Sequence, residues 1–355
     1  MRRRFAHPAR SARRARAQVA RETVSRERGF TLIELMVALV LFALVIAGMM
    51  SVAVSMITGY RDQEITIATE SATRSTIDYL TDGLRSNSPG VPTFDALVDL
   101  DVSTCPTGAL KVVQNAANPS PLTHSSDQLT MTFASGSVVT TMTNTFAGTG
   151  AATLAVLDAR ELAVDDFIII TNFETGHLVH IAASSGTAPG TLTITAPSCT
   201  GVGAKLPTGG YIAGTTIIRA VRASFQIGVV ASDDNVGTVP VLMMDLDAEG
   251  VRFVPEPIAE GIEDLQVVFG ADTSGDGILS AESTTAGADE WFGNVSGEAI
   301  PAVFPNTTRA VRVSIVARTV RAFTGVNTFR LNALEDRLAN AATDSFRRRV
   351  LSTTV

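Results

Sequence analysis

The chain contains 355 residues, of which 45% are hydrophobic, so it is long enough for one large domain or two small ones. Its formal charge is −7, yet residues 1–29 alone contain ten arginines against two glutamates. The rest of the chain therefore carries a net charge of about −15, which opposes phosphate contacts, so we expect no nucleic-acid binding by the mature domain.

The basic segment at residues 1–29 predicts a leader rather than a folded element. Its composition of alanine, arginine and serine shows no apolar period. Positive charge before the first apolar helix keeps that end in the cytoplasm and sends the following chain across the membrane. Translation from Val24 would give a shorter basic leader, and the protein sequence leaves both starts open.

An almost uninterrupted apolar segment follows Gly29 and extends from Phe30 to Ile57. As a helix it would be roughly 42 Å long, enough to cross a hydrocarbon core of about 30 Å. Glu34 is the only charged residue in this segment. A carboxylate in lipid costs about 2 to 3 kcal/mol, so we expect Glu34 to have a partner.

The pattern becomes amphipathic after Tyr60, with charged residues on other faces of the predicted helix. Ser86–Gly90 contains the residues that end it. We therefore predict one helix at residues 30–88, with a membrane-spanning half at 30–57 and a half that docks on a globular domain. The docking face consists of Ile65, Ala68, Ala72, Thr76, Leu80 and Leu84.

Residues 89–355 predict a β-rich domain with mostly antiparallel sheets, because short strand patterns follow one another across glycine-rich turns. Residues 91–127 suggest an irregular connection, and Leu331–Ala342 has a helical period. The fold class is therefore α+β. The candidate strands are Leu129–Phe133, Ser137–Thr143, Asp166–Thr171, His177–Ala182, Thr191–Thr195, Thr215–Ile227, Val239–Asp245, Ile262–Phe269 and Arg309–Thr319.

The six residues Gly29–Glu34, GFTLIE, follow Arg26 and Arg28 and resemble the type III signal of prepilins and pseudopilins. The resemblance implies a pilin-like fold. It also implies that a membrane-embedded prepilin peptidase cuts after Gly29 and methylates Phe30. In that family the glutamate pairs with the N-terminal amine of a neighbouring subunit, which implies a Glu34–Phe30 contact between copies. An ordinary signal anchor with a chance glutamate is the alternative.

Several later stretches resemble the PilW group of minor pilins. The resemblance implies a minor pilin of a type IV pilus that helps to initiate assembly near the tip and supports motility or adhesion. It would be an inner-membrane precursor with a periplasmic domain, then a pilus subunit at the cell surface, with other pilins as partners. A J-type pseudopilin of type II secretion shares this plan. The stretches are 163–181, 209–228, 261–277, 309–319 and 346–355.

A possible calcium site begins at Asp272, where oxygen side chains alternate and a glycine follows. Glu282 is the eleventh residue of this loop rather than the twelfth, and Asp289 or Glu290 could replace it. The alternative is a solvated turn. If calcium binds, a tethered calcium-dependent adhesin is a further functional reading. The candidate ligands are Asp272, Ser274, Asp276, Ile278 and Glu282.

Cys105 and Cys199 are the only cysteines, and in an exported chain a pair favours a disulfide over two thiols. His177 and His180 lie three apart on a predicted strand, so their side chains point to opposite faces and cannot share a metal ion. The sequence contains no nucleophile elbow, metalloprotease motif or P-loop. We therefore expect a protein that is not an enzyme and has no certain cofactor.

Overall fold

The computed structural model describes residues 29–148, 150, 152–232, 237–246, 254–298, 307–323 and 325–355, without the side chains of residues 137 and 138. The predicted leader therefore lies outside the described residues, apart from Gly29. Contacts divide the chain into two compact units, Met1–Gly59 and Tyr60–Val355. One long helix belongs to both.

That helix, α1, contains 55 residues from Leu32 to Ser86. Within the first unit every residue from Phe30 to Ile57 is exposed. An 18-residue window in α1 reaches a mean hydropathy of 2.8, and α1 is the only helix among the described residues that is long and apolar enough to cross a membrane. A surface this apolar is unstable in water, so it requires lipid or other apolar helices around it.

The half of α1 in the second unit buries a face that is rich in threonine. The hydroxyls of Thr69, Thr73 and Thr76 each donate to the backbone carbonyl four residues earlier in the helix, at 2.6–2.8 Å. Because these polar groups are satisfied within α1, their burial needs no hydrogen-bond partner on the facing sheet. Of the predicted docking face, Leu80 and Leu84 are buried as expected, whereas Ala68 is exposed.

The second unit contains two β-sheets. The strands are β1 Leu97–Asp99, β2 Leu110–Ala117, β3 Ser125–Thr141, β4 Ala152–Val156, β5 Phe167–Thr171, β6 Gly176–Ser184, β7 Gly190–Ile194, β8 Thr216–Ala231, β9 Thr238–Asp245, β10 Glu256–Glu260, β11 Ile262–Ala271, β12 Trp291–Phe292, β13 Thr308–Arg318 and β14 Arg348–Thr354. In the ten-stranded sheet β10-β9-β8-β5-β6-β7-β4 follow in order, β3 pairs with β8 and β2, and β1 pairs with β6. The other sheet has the order β12-β11-β13-β14.

Every strand pair of the described chain is antiparallel except β1 with β6, so the predicted α+β class is confirmed. Two hydrophobic clusters fill the unit. The larger one joins α1 to β2, β3, β8, β11 and β13, and the smaller one lies around β4–β7. Strand β11 is buried along its whole length, and so it lies at the centre of the packing.

Two predictions of local structure were wrong. Residues 91–127 are not irregular throughout, because they contain β1 and β2. Leu331–Ala342 is not a helix: Leu334 and Arg337 close a tight turn with paired backbone hydrogen bonds, and Glu335 has φ 50°. In the observed conformation Glu335 binds Arg312 and Arg337 binds Asp264, so side chains adjacent in this segment contact different partners.

The more deeply buried of those ion pairs joins Arg337 to Asp264 on β11. Arg337 is 4% exposed and Asp264 is fully buried, with Nε to Oδ2 at 2.5 Å. The second oxygen of Asp264 accepts hydrogen bonds from Ser126 and Gln266. Both charges are therefore compensated, and the connection between β13 and β14 is fixed to the central strand.

Arg337→Ala should lower the free energy of unfolding by about 3–5 kcal/mol, because it leaves the Asp264 carboxylate buried without a countercharge. The matched control is Arg349→Ala, whose exposed ion pair with Glu70 should be worth about 0–1 kcal/mol. Urea unfolding followed by the fluorescence of Trp291, the only tryptophan, measures both. Equal losses in the two variants would contradict this assignment.

A second buried acid, Asp127 on β3, accepts backbone hydrogen bonds from Asn115 at 2.8 Å and Val267 at 2.7 Å. Burial, together with the negative charges of Asp336 and Asp264, raises the pKa of the Asp127 carboxyl to about 8. In the unfolded chain this carboxyl titrates near pH 4. The folded protein therefore holds a proton there that the unfolded chain releases.

The free energy of unfolding should consequently fall as the pH rises from about 5 to 8, because that proton is lost as the pH passes the folded pKa. Asp127→Asn removes the titration and should flatten this slope. The variant should also be less stable at every pH, since its NH₂ group must face a backbone N–H. Urea unfolding at a series of pH values separates a change in the pH dependence of the free energy of unfolding from a uniform loss of stability. The same pH dependence in Asp127→Asn and in the wild type would refute the prediction.

Candidate functional site

The N-terminal end of α1 carries the residues predicted for processing and subunit pairing. Gly29 and Phe30 precede the helix, and the Phe30 side chain is 87% exposed. Because α1 begins at Leu32, Thr31 is its N-cap residue. The peptide bond predicted for cleavage therefore lies in non-helical backbone, one residue before the cap.

Thr31 and Glu34 form reciprocal hydrogen bonds. The Thr31 backbone N–H and hydroxyl both donate to Oε2 of Glu34, at 2.9 and 3.0 Å, and the Glu34 N–H donates to the Thr31 hydroxyl oxygen at 3.3 Å. This is a capping box, which satisfies donors that the first turn of a helix leaves free. All hydrogen bonds to the carboxylate among the described residues go to Oε2, so Oε1 remains available to a partner.

The capping box satisfies hydrogen bonding without neutralising charge, because both groups of Thr31 are uncharged. In an apolar surrounding the carboxylate of Glu34 still needs a cation. Cleavage after Gly29 would create a charged amine on Phe30, the residue next to the cap. The N-terminal segment thus contains an acid with one free oxygen and, once cut, the chemical group that could pair with it in another copy.

Thr31 is the functional residue that the sequence analysis missed. The signal was present as Thr-x-x-Glu immediately before an apolar run, which is the sequence pattern of a capping box.

The structure brings together most of the predicted calcium loop. The two carboxylate oxygens of Asp272 accept the N–H groups of Gly275 at 2.6 Å and Gly277 at 2.9 Å. Asp276 accepts the N–H of Ile278, and the Ser274 hydroxyl donates to Asp272 at 3.4 Å. The chain from 272 to 278 therefore curls around the Asp272 carboxylate.

The acid that faces this loop is Glu290 rather than Glu282. Glu290 accepts the N–H groups of Ser274 at 2.8 Å and Ser280 at 3.0 Å, and these bonds hold the pKa of its carboxyl below the usual range. Glu282 instead forms a bidentate ion pair with Arg312 at 2.6 and 2.9 Å. In the described part of the chain, no three His, Cys, Asp or Glu side chains form a metal-binding group, so a calcium site would also need hydroxyl and carbonyl oxygens.

The cysteines and histidines have structural surroundings. Cys105 and Cys199 form a disulfide, with Cα atoms 5.0 Å apart. His177 is fully buried between the Tyr211 hydroxyl and the Ala204 carbonyl, and burial lowers its pKa to about 4, so the ring is neutral. His180 lies 3.5 Å from Asp165. The two histidines therefore have separate partners.

Models of known families match the chain in two regions, one at the N-terminal end of α1 and one in the C-terminal part of the β-rich unit. Residues 24–50 match the prokaryotic N-terminal methylation motif, which covers the predicted cleavage site and the first turns of α1. Residues 229–355 match PilW, the type IV pilus-assembly protein W, and this range contains β9–β14. Residues 51–228 lie outside both matches. No curated protein matches the chain.

The two matches fall on the parts that the geometry singles out: the capped apolar helix and the β-rich domain that packs on its second half. Domains of the pilin families are structural rather than enzymatic. The two regions of similarity support a type IV pilus-associated pilin of the PilW type, and the apolar N-terminal helix fits a membrane anchor.

Proposed function

We propose that the protein is made as an inner-membrane precursor with a cytoplasmic N-terminus and a periplasmic β-rich domain. Prepilin peptidase then cuts after Gly29 and methylates Phe30. The methylation-motif match across residues 24–50 and the position of Gly29 in non-helical backbone support this proposal. Processing frees the amine that Glu34 lacks in the precursor.

Assembly then exchanges one apolar environment for another. The exposed apolar surface of Phe30–Ile57 leaves lipid and packs against the corresponding helices of neighbouring pilins. The free Oε1 of Glu34 receives the amine of a neighbouring Phe30, which neutralises a charge that the capping box only hydrogen-bonds. The single observation that carries this proposal is the exposed carboxylate of Glu34 beside the processing site.

We further propose that the protein acts in the initiation of assembly and lies near the pilus tip, and so supports motility or adhesion. The PilW match, to a family described by pilus assembly, supports this role. The same match favours a pilus over the pseudopilus of type II secretion. The other pilins of the fibre would be its partners through α1.

Glu34→Gln should abolish incorporation into sheared pili while leaving membrane insertion intact. Glutamine keeps an oxygen that can accept from Thr31, so the capping box survives and only the charge is lost. Glu34→Ala should give the same defect, whereas Glu64→Gln, which removes an exposed acid of the second half of α1, should have no effect. Immunoblots of sheared and membrane fractions measure both pools.

The control for processing is mass spectrometry of the mature N-terminus, which should show methylated Phe30 in the wild type and in Glu34→Gln. Normal incorporation of Glu34→Gln would mean that hydrogen bonding suffices and that no amine pairs with the acid. An uncut N-terminus in the wild type would overturn the whole proposal.

We also propose that the loop from Asp272 to Ile278 binds calcium. The residues that would hold the ion are Asp272, Ser274 and Asp276, the carbonyl of Ile278, and Glu290 in place of Glu282. Two observations support this set: the Asp272 and Glu290 carboxylates are both buried beside the loop, and among the described residues the Glu290 carboxylate contacts only neutral donors. A bound cation would supply the countercharge that Glu290 lacks there, whereas Asp272 already lies 3.7 Å from Arg309.

Calcium at 5 mM should stabilise the protein by about 1–2 kcal/mol if the affinity lies in the range of extracellular sites, near 0.1–1 mM. Glu290→Gln should lose this response, whereas Glu282→Gln should keep it because the Glu282 carboxylate binds Arg312. Thermal unfolding with calcium, magnesium or chelator measures the difference within each variant. A response that is absent in the wild type, or equal in both variants, would favour a solvated turn.

A further inference from the structure

Strand β14 is an edge strand, which pairs only with β13 in the described chain. The pairing of Arg348–Thr354 continues over seven residues without a register shift. Bonds at both ends fix the direction of its backbone groups: Thr319 donates to the carbonyl of Arg347, and Val355 exchanges two bonds with Val311. Because backbone groups alternate in direction along an antiparallel strand, those of the odd-numbered residues point to β13.

The even-numbered residues of β14 therefore direct their backbone groups away from the sheet. The N–H and C=O groups of Val350, Ser352 and Thr354 have no hydrogen-bond partner among the described residues. The side chains of these three residues are exposed as well, so this edge is open to solvent. A row of unpaired backbone groups can pair with a strand of another chain.

Other edges of the two sheets are interrupted or already closed. Strand β10 contains Pro257, which has no N–H, and its register shifts directly afterwards. At the edge of β4 the side-chain amide of Asn144 bonds to the carbonyl of Thr153 and to the N–H of Ala155. Strand β2 is broken by a bulge. Strand β14 contains no proline, glycine or bulge, so it lacks these forms of protection.

The charge beside this edge is positive at the N-terminal end of β14. Arg349 is 52% exposed in its side chain and pairs with Glu70 of α1. The ion pairs of this segment belong to Arg348 and Arg349, which leaves Arg347, also exposed, without one in the described chain. Arg347 and Arg349 lie two residues apart and so point to the same face of the sheet. An acidic side chain on an added strand would lie opposite them.

We propose that β14 accepts an extended acidic segment of another protein chain as a fifth strand of its sheet. Backbone hydrogen bonds to Val350, Ser352 and Thr354 supply the affinity, and carboxylates opposite Arg347 and Arg349 set the direction and register. In the antiparallel direction the acidic residues belong at the C-terminal end of the segment. The proposal rests on this edge alone, separately from the pairing proposed for the N-terminal end of α1.

The first experiment measures binding of a fluorescent peptide to the full-length protein in detergent micelles by anisotropy. The peptide is Thr-Val-Thr-Val-Val-Glu-Thr-Glu with both ends capped. Its first residue is designed to lie opposite Thr354, and its glutamates opposite Arg349 and Arg347. This peptide should bind saturably. The same peptide with lysine in place of both glutamates should bind at least about tenfold more weakly.

A second control peptide removes a backbone donor and keeps the charge. Proline at its third position lacks the N–H that would bond to the carbonyl of Ser352, so this peptide should also bind at least about tenfold more weakly. Bound acidic peptide should slow hydrogen exchange within Arg348–Thr354, because the outward amides become paired. Mass spectrometry of peptic fragments measures this protection.

Variants of the protein locate the binding. Val350→Pro removes an outward N–H and no bond to β13, so it should weaken the acidic peptide at least about tenfold, whereas Val350→Thr should not. Arg347→Glu should weaken the acidic peptide and strengthen the lysine peptide. The matched control Arg160→Glu, at an exposed arginine between β4 and β5, should do neither. If Val350→Pro fails to fold, the exchange of charge at Arg347 still decides the question.

The proposal is overturned if the acidic peptide shows no saturable binding up to about 300 μM protein. It is also overturned if the acidic and lysine peptides bind equally, or if Val350→Pro and Val350→Thr have the same affinity. Sedimentation of the protein without peptide tests the remaining occupant. A dimer that Val350→Pro abolishes would assign this edge to a second copy of the chain and would contradict the proposal.

Discussion

A single helix has to serve two surroundings, and the structure of this protein depends on how its polar groups are satisfied in each. An α-helix closes its backbone hydrogen bonds internally, which is why α1 can pass from an apolar exposed half to a half buried in a β-rich domain. The side chains then determine which environment each half of α1 requires. The first half is apolar apart from Glu34 and a few hydroxyl side chains, and the buried face of the second half consists of threonine, leucine and one isoleucine.

The threonines show why this helix can be buried with few large apolar side chains. Each hydroxyl of Thr69, Thr73 and Thr76 bonds to its own helix, so the exterior that faces the sheets consists largely of methyl groups. The lack of a side chain at Gly83 lets α1 approach β3 closely, because a Cβ there would lie 3.0 Å from Met131 and 3.2 Å from Phe133, closer than ordinary van der Waals contact. The larger hydrophobic cluster thereby joins α1 to strands of both sheets.

The sequence predicted the long helix, the α+β class and most central strands, because hydrophobic period and glycine-rich turns are local signals. It failed where distant partners decide the conformation. Leu331–Ala342 has a helical period, yet Arg337 binds Asp264 and Glu335 binds Arg312 and Ser314. The candidate site residues differ in the same way. Glu34 is identified by the residues next to it in the sequence. The choice of Glu290 over Glu282 depends on a distant residue, because Arg312 binds Glu282 and Glu290 faces the loop instead.

Both ends of α1 have polar groups that the subunit itself does not complete. At the N-terminal end the capping box gives Glu34 hydrogen bonds but no countercharge, and one oxygen stays free. After the C-terminal end, Asn87 and Ser88 keep donors that nothing in the described chain accepts. Elsewhere in the unit, buried charges such as Asp264 and Glu263 are matched by arginines with short contacts. Glu34 differs from these buried charges, because its exposed carboxylate lies among apolar side chains and has no countercharge among the described residues, which is the deficit that the proposed pairing between subunits would remove.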